Sequence, residues 1–176
     1  CGCEYYVIDA GWYAPGEWWD SVGEWKECRD RFPNGIKEVT DYIRKKGMVP
    51  GVWLELEVMG INCEKAKKAP DDWFFVRHGK RVYDRSRYQL DFRNPAVIEH
   101  VNEVIGRVVK EYGVGYIKMD YNIEPGIGTE IGAESVGQGL LEHEKAYLNW
   151  LDGVFARYPD LVIENCSSGG LRMDYA

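Results

Sequence analysis

Four acidic residues, Asp9, Glu55, Asp120 and Glu164, each follow an apolar run of the kind that forms a β-strand. The runs are Tyr5-Tyr6-Val7-Ile8, Val49-Pro50-Gly51-Val52-Trp53-Leu54, Val114-Gly115-Tyr116-Ile117 with Lys118-Met119, and Leu161-Val162-Ile163. In a parallel sheet closed into a barrel, such strand ends converge on one face, and a row of carboxylates there can do acid, base or nucleophilic chemistry. Tryptophan and tyrosine stand close by in the sequence, and the histidines lack metal-ligand spacing. That set suits glycoside hydrolysis, in which two carboxyl groups flank the scissile bond and aromatic faces pack on sugar C–H surfaces. Any one of these acids alone reads as well as a cap for a loop or helix N-terminus. Lys118 precedes Asp120 by two residues, so on a strand both side chains share a face, and a cation there would hold the carboxylate ionised.

Other nucleophiles are less well supported. Cys166-Ser167-Ser168-Gly169-Gly170 lacks the G-x-S-x-G pattern of a serine hydrolase, and no histidine stands out as its base. Lys118 at a strand end could serve as a Schiff-base lysine, a reading that leaves the segment around Asp174 unused. Trp53, one residue from a strand end, reads equally as core packing or as part of a site. The Cys166–Gly170 stretch reads equally as a plain turn or as backbone that approaches a ligand closely.

The elements that must position these residues alternate. A helix is predicted from Pro33 or Asn34 through Lys46, with Ile36, Val39 and Ile43 on one face and Gly47 as its stop. A strand over 48–55 follows, then a long polar segment to about Ser86 and a short strand over Tyr88–Phe92. Asn94-Pro95 opens a helix with Val97, Val101, Val104, Ile105 and Val108 on one face, ending near Gly113. After the strand that ends at Asp120 come a glycine-rich loop over Gly126–Gly139, a helix over about Leu140–Tyr158 and a last strand over 161–164. Strand and helix alternation implies a parallel sheet covered by helices. No G-x-G-x-x-G turn follows the first strand, so the expected fold is α/β, a partial (β/α)8 TIM barrel of about five strands with outer helices, truncated at one or both ends, residues 1–176 forming part of a single catalytic domain.

Composition narrows the function. The 176 residues carry 29 acidic against 22 basic side chains, a net charge of -7, which argues against nucleic acid as the main partner. No run approaches the roughly 18 apolar residues of a membrane span, and the first residues carry no signal-peptide pattern. Five cysteines, Cys1, Cys3, Cys28, Cys63 and Cys166, form no disulfide framework, so a reducing, cytoplasmic setting is expected. His78, His100 and His143 are scattered, and no metal site is expected. Aromatic rings crowd into Gly11–Trp25, a stretch too rich in glycine, proline and charge to be a core strand.

Four blocks, taken in order, resemble the glycoside hydrolase family thirty-six type of α-galactosidase, of clan D. They are Tyr6-Val7-Ile8-Asp9-Ala10-Gly11-Trp12-Tyr13, Gly51-Val52-Trp53-Leu54-Glu55-Leu56-Glu57, Tyr116-Ile117-Lys118-Met119-Asp120-Tyr121-Asn122, and Glu164-Asn165-Cys166-Ser167-Ser168-Gly169-Gly170-Leu171-Arg172-Met173-Asp174. Phe32-Pro33-Asn34-Gly35-Ile36 and Gln89-Leu90-Asp91 resemble its connecting segments. The resemblance implies that Asp120 is the nucleophile and Asp174 the acid/base of a retaining, exo-acting enzyme acting on a carbohydrate without metal or organic cofactor. It further implies that Asp9, Trp53, Lys118, Asn122 and Cys166 line the sugar subsite, with Arg172 near the acid/base. Where the family commonly has a second acid, this sequence has Ala10, which keeps N-acetylgalactosamine open as the sugar. It also has Met119 where the family commonly has Trp and Leu56 where it commonly has Pro. A galactosyl transferase of the same fold and an inert or noncatalytic carbohydrate-binding piece are the other readings.

A sheet with fewer than eight strands leaves apolar edges and helix faces that closure would cover. The 176-residue chain expressed alone is therefore expected to aggregate or pack loosely and to turn over poorly, as solubility, melting cooperativity and α-galactosidase assays would show. A soluble monomer with a sharp transition and full activity would overturn the partial-barrel expectation.

Overall fold

β2 (Val49–Leu54) is the strand around which the others are arranged: beyond Val49 it is buried throughout, as a parallel strand covered on both faces must be. The structure is a computed structural model that describes residues 2–172. In chain order its elements are β1 (Tyr5–Ile8), α1 (Ile36–Lys45), β2, β3 (Val58–Gly60), α2 (Glu64–Lys68), β4 (Val76–Arg77), β5 (Lys80–Arg81), β6 (Tyr83–Asp84), β7 (Arg87–Gln89), α3 (Pro95–Gly106), β8 (Tyr116–Met119), α4 (Val136–Arg157) and β9 (Val162–Asn165). A four-stranded sheet has the order β1-β2-β8-β9, and all its pairings are parallel. Among the described residues this sheet does not close on itself.

The register sets which side chains share a face. Ile8 lies beside Val52, Trp53 beside Lys118, and Lys118 beside Glu164. On β8, Ile117 and Met119 are buried in the core with Val101 and Val104 of α3 and Trp150 and Val154 of α4, while Tyr116 and Lys118 take the other face, half-buried. Asn94 caps α3 by accepting the Ala96 N–H at 2.9 Å, with Pro95 in the first turn, and a π-helical turn over Arg107–Glu111 continues it.

Two sequence expectations change. The Tyr88–Phe92 run is not a fifth parallel strand: β7 pairs antiparallel with β3 and β6 in a separate three-stranded sheet within the excursion between β2 and α3. The cause is local, because Arg85 and Ser86, at φ 46° and 64°, make a two-residue turn that folds β7 back on β6. α4 starts at Val136 rather than Leu140, since Ser135 accepts the Gln138 N–H at 3.2 Å and caps the helix earlier. Gly139 lies within that helix, and glycine is needed there because a Cβ would lie 2.5 Å from the Thr129 carbonyl oxygen. The aromatic segment is not a strand, yet Trp12, Tyr13 and Trp25 are among the most buried side chains.

The excursion and the aromatic segment meet at Gly60, whose N–H donates to the Val22 carbonyl at 2.9 Å. A Cβ at Gly60 would lie 2.0 Å from the Asp20 carbonyl oxygen, backbone against backbone. Gly60→Ala is therefore expected to lower stability by about 3 kcal/mol, the upper end of ordinary overpacking, read as a fall in the urea midpoint. An unchanged midpoint would show that this approach can relax freely.

Candidate active site

Asp120 stands just past β8, where its N–H donates to the Leu54 carbonyl at 2.7 Å and so extends the β2–β8 ladder by one bond. The residue is 8 % exposed. Oδ2 accepts the Trp53 indole N–H at 3.0 Å, and Oδ1 accepts the Tyr121 N–H at 2.8 Å and the Ser168 N–H at 3.3 Å. Burial pushes this carboxyl up, but hydrogen bonds from Asn122, Trp53, Tyr121 and Cys166 outweigh it and hold the group below the usual aspartate range. Asp120 is thus nearly dry and still ionised, the state a carboxylate nucleophile needs.

The sequence assigned that depression to Lys118, and the geometry reassigns it to hydrogen bonds. Lys118 shares the expected face, but its Nζ donates to Asp9 Oδ2 at 3.1 Å. Burial pulls the ammonium down, and the Asp9 carboxylate more than compensates, so the net shift is upward. A Schiff-base lysine requires the opposite shift, which removes the support for that reading. Glu164, beside Lys118 in register, accepts from the Tyr116 hydroxyl at 2.6 Å.

The segment after β9 wraps over Asp120. The Cys166 N–H donates to the Met119 carbonyl at 2.8 Å, and the Ser167 hydroxyl to the Tyr121 carbonyl at 2.6 Å. Asn122 Oδ1 accepts both the N–H and the hydroxyl of Ser168, at 3.1 and 2.8 Å. Cys166 is buried, and burial pushes its thiol up. Asp9, Lys118, Asp120, Asn122 and Cys166 therefore gather at one end of the sheet, with Trp53 beneath Asp120. The Trp53 ring is buried among Trp18, Trp25 and Tyr13, with centroids 5.5, 5.8 and 6.1 Å away.

Two residues sit apart from that cluster. Glu55, although at a strand end, is completely buried and lies 2.9 Å from Arg87. Burial pushes its carboxyl up to about 7, with Arg87 pulling the other way. Arg172 pairs with buried Glu57 at 2.5 Å and lies over the Tyr121 ring, 4.2 Å from its centroid. It lines a cleft of about 510 Å³ with Met119, Tyr147, Leu148 and Ile163, on the helix side of the sheet. Asp174 lies outside the described residues. The sequence carries no signal for His143 or Arg87, and for Glu57 only its place in the block after Trp53. Among the described residues, no group of three or more His, Cys, Asp or Glu is arranged to hold a metal ion.

The sequence matches the Melibiase family over residues 1–176. It is 29 % identical over 176 residues to an alpha-galactosidase of Lactobacillus acidophilus, across 98 % of this chain and 24 % of that protein. It is 31 % identical over 181 residues to the alpha-galactosidase AgaA of Geobacillus stearothermophilus, with the same coverage of 98 % and 24 %. The crystal structure of AgaA superposes with a TM-score of 0.85 at 28 % identity, covering 98 % of this chain and 24 % of that one. A substituted form of AgaA in complex with stachyose gives a TM-score of 0.84, also at 28 % identity and with the same coverage. The chain thus spans about a quarter of the length of the curated relatives it matches.

Trp53→Phe keeps a ring but removes one donor from Asp120, so the Asp120 titration is expected to move to higher pH, as carboxyl-labelled NMR would read. A carboxylate held low in the folded state contributes stability above its unfolded pKa and loses it as pH falls through its folded pKa. The substitution should therefore cost about 2 kcal/mol at neutral pH, typical of a hydrogen bond to a charged group, and less in acid. A penalty independent of pH would assign Trp53 to packing alone.

Proposed function

The chain belongs to the Melibiase family, and from that membership we propose that residues 1–176 are part of the catalytic domain of a retaining, exo-acting α-galactosidase. The observation that carries the reading is Asp120, buried and yet ionised at the tip of β8, beside the Lys118–Asp9 pair. The open parallel sheet is read as part of a (β/α)8 barrel. Its strand order follows the sequence, and apolar groups remain uncovered at Tyr6 and Val162 on its outer strands and at Leu141, Leu148 and Phe155 along α4.

In this mechanism Asp120 attacks the anomeric carbon of a terminal α-galactosyl group. The glycosidic C–O bond breaks as the new ester bond forms, and Asp174 gives its proton to the departing oxygen. Water then attacks the glycosyl ester, Asp174 takes a proton from that water, and sugar is released with its configuration retained. Trp53 and the Tyr121 and Ser168 N–H groups hold the attacking carboxylate at a fixed angle, so little reorganisation is needed during attack. Lys118, Asp9, Asn122 and Cys166 are the partners for sugar hydroxyls, and Arg172 is assigned a place near the acid/base. The relatives are named alpha-galactosidases, and one is seen with stachyose, which supports an oligosaccharide substrate for this chain.

A second reading is favoured by Ala10. Only Asp9 is acidic after β1, which leaves room where a second carboxylate would grip a neighbouring hydroxyl, so an N-acetylgalactosamine glycoside is the alternative substrate. Transfer to a sugar acceptor instead of water is the other variant of the same chemistry.

The test uses the full-length parent protein with nitrophenyl α-galactoside and its N-acetylamino analogue, with and without sugar acceptors. A fluorinated galactosyl substrate is expected to label Asp120, and Asp120→Asn to abolish the labelling with the fold intact. Asp174→Ala should lose about 10²–10⁴-fold on poor leaving groups, far less on activated aryl glycosides, and respond to azide. Label on Glu55 or Glu164, or no turnover of either glycoside, would overturn the assignment.

A further inference from the structure

The β2–β8 ladder ends in an irregular way. Asp120 N–H reaches the Leu54 carbonyl, and in a continuing parallel pair the next N–H facing β2, that of Asn122, would reach the carbonyl of Leu56. β2 stops at Leu54, and the chain turns away toward β3. The Asn122 N–H instead donates to the side chain of Glu55, with N to Oε1 at 2.6 Å. The completely buried Glu55 carboxylate thus takes the place of a ladder carbonyl for Asn122, two residues beyond the proposed nucleophile.

A buried anion in that place needs a counter-ion, and Arg87 of β7 supplies it at 2.9 Å, itself 1 % exposed. Its guanidinium lies against Trp18 and Trp19, 5.4 and 6.0 Å from the ring centroids. Among the described residues, no acceptor meets the Arg87 N–H groups with hydrogen-bond geometry, so Glu55 is its one electrostatic partner at ion-pair distance. From Asn122 the chain of bonds runs on: Asn122 Oδ1 holds the N–H and hydroxyl of Ser168, and that N–H also reaches Asp120 Oδ1.

We propose that Glu55 is a positioning residue for the reaction: its carboxylate, with Arg87 as counter-ion, replaces the missing ladder carbonyl, fixes Asn122 and through Ser168 sets the angle of the Asp120 carboxylate. This rests on the α-galactosidase reading for its kinetic consequence, though the contact itself does not depend on any substrate. Glu55 acts through Asn122 and does not touch the sugar.

Two double variants of the full-length protein separate the hydrogen bond from the charge. Glu55→Gln with Arg87→Met keeps an oxygen that can accept the Asn122 N–H, whereas Glu55→Leu with Arg87→Met does not. Neither leaves a lone buried charge, so both are expected to melt alike. The glutamine double should keep the parental kcat and the parental slow amide exchange at Asn122. The leucine double should exchange Asn122 faster and lose about 100-fold in kcat with little change in KM, the size of effect expected for a misaligned attacking group. If the leucine double does not fold, Glu55→Met with Arg87→Met fills the same space without an acceptor and carries the same comparison. Equal exchange at Asn122 and equal kcat in the two doubles would overturn the proposal. A parent that turns over no α-galactoside, with Asn122 exchange still separating the doubles, would overturn the functional reading and leave the positioning contact standing.

Discussion

A carboxylate removed from water must have its oxygens met by donors or a counter-ion, because an uncompensated buried charge costs several kcal/mol or is neutralised by a proton. That constraint organises the region around β2 and β8. Asp120 meets it with N–H groups from Trp53, Tyr121 and Ser168. Glu55 meets it with Arg87 and the Asn122 N–H, and Glu57 with Arg172 and His143. Asp91 meets it with Arg93, which also reaches Glu142 on α4. The partners of these acids come from different segments, so satisfying the charges also ties the excursion, the sheet, α4 and the loop after β9 together.

The histidine in this system illustrates how backbone and charge cooperate. The Phe92 N–H donates to His143 Nδ1 at 3.0 Å, which leaves the ring proton on Nε2, facing Glu57 Oε2 at 3.7 Å. Burial pushes Glu57 up, but Arg172 and His143 outweigh it, and the net direction is down. Glu57 therefore anchors Arg172, whose guanidinium covers the Tyr121 ring next to Asp120. Tyr121 in turn donates to Gln89 of β7 at 2.6 Å. The residue that follows Asp120 is gripped from both the helix side and the excursion.

Aromatic packing fixes the remaining donor. An indole N–H can orient a carboxylate only if the ring cannot rotate, and Trp53 is enclosed by Trp18, Trp25 and Tyr13 while its own carbonyl accepts the Trp12 indole N–H at 2.9 Å. The Gly11–Trp25 segment thus works as a wall around Trp53, which accounts for its aromatic content. Its bends, with Gly11, Gly16 and Gly23 at positive φ, are what permit an irregular chain to lay so many rings on one strand.

The sequence by itself determined the parallel sheet and its helices, because these rest on local signals: Ile36, Val39 and Ile43 at helical spacing, Asn94-Pro95 as a helix start, and apolar runs ending in acid. Strand ends singled out Asp9, Glu55, Asp120 and Glu164, and it was the resemblance to family thirty-six α-galactosidases that set Lys118, Asn122 and Cys166 beside Asp9 and Asp120. Only the tertiary structure decided how the four acids divide. Asp9 and Glu164 stay in solvent, Asp120 is buried among N–H donors, and Glu55 is buried against Arg87, a residue 32 positions away on a hairpin whose turn is made by Arg85 and Ser86. Strand periodicity reports which face a side chain takes, but protonation and orientation depend on partners that arrive from distant segments. For that reason strand spacing alone pairs Lys118 with Asp120, although in the folded chain it reaches across β2 to Asp9.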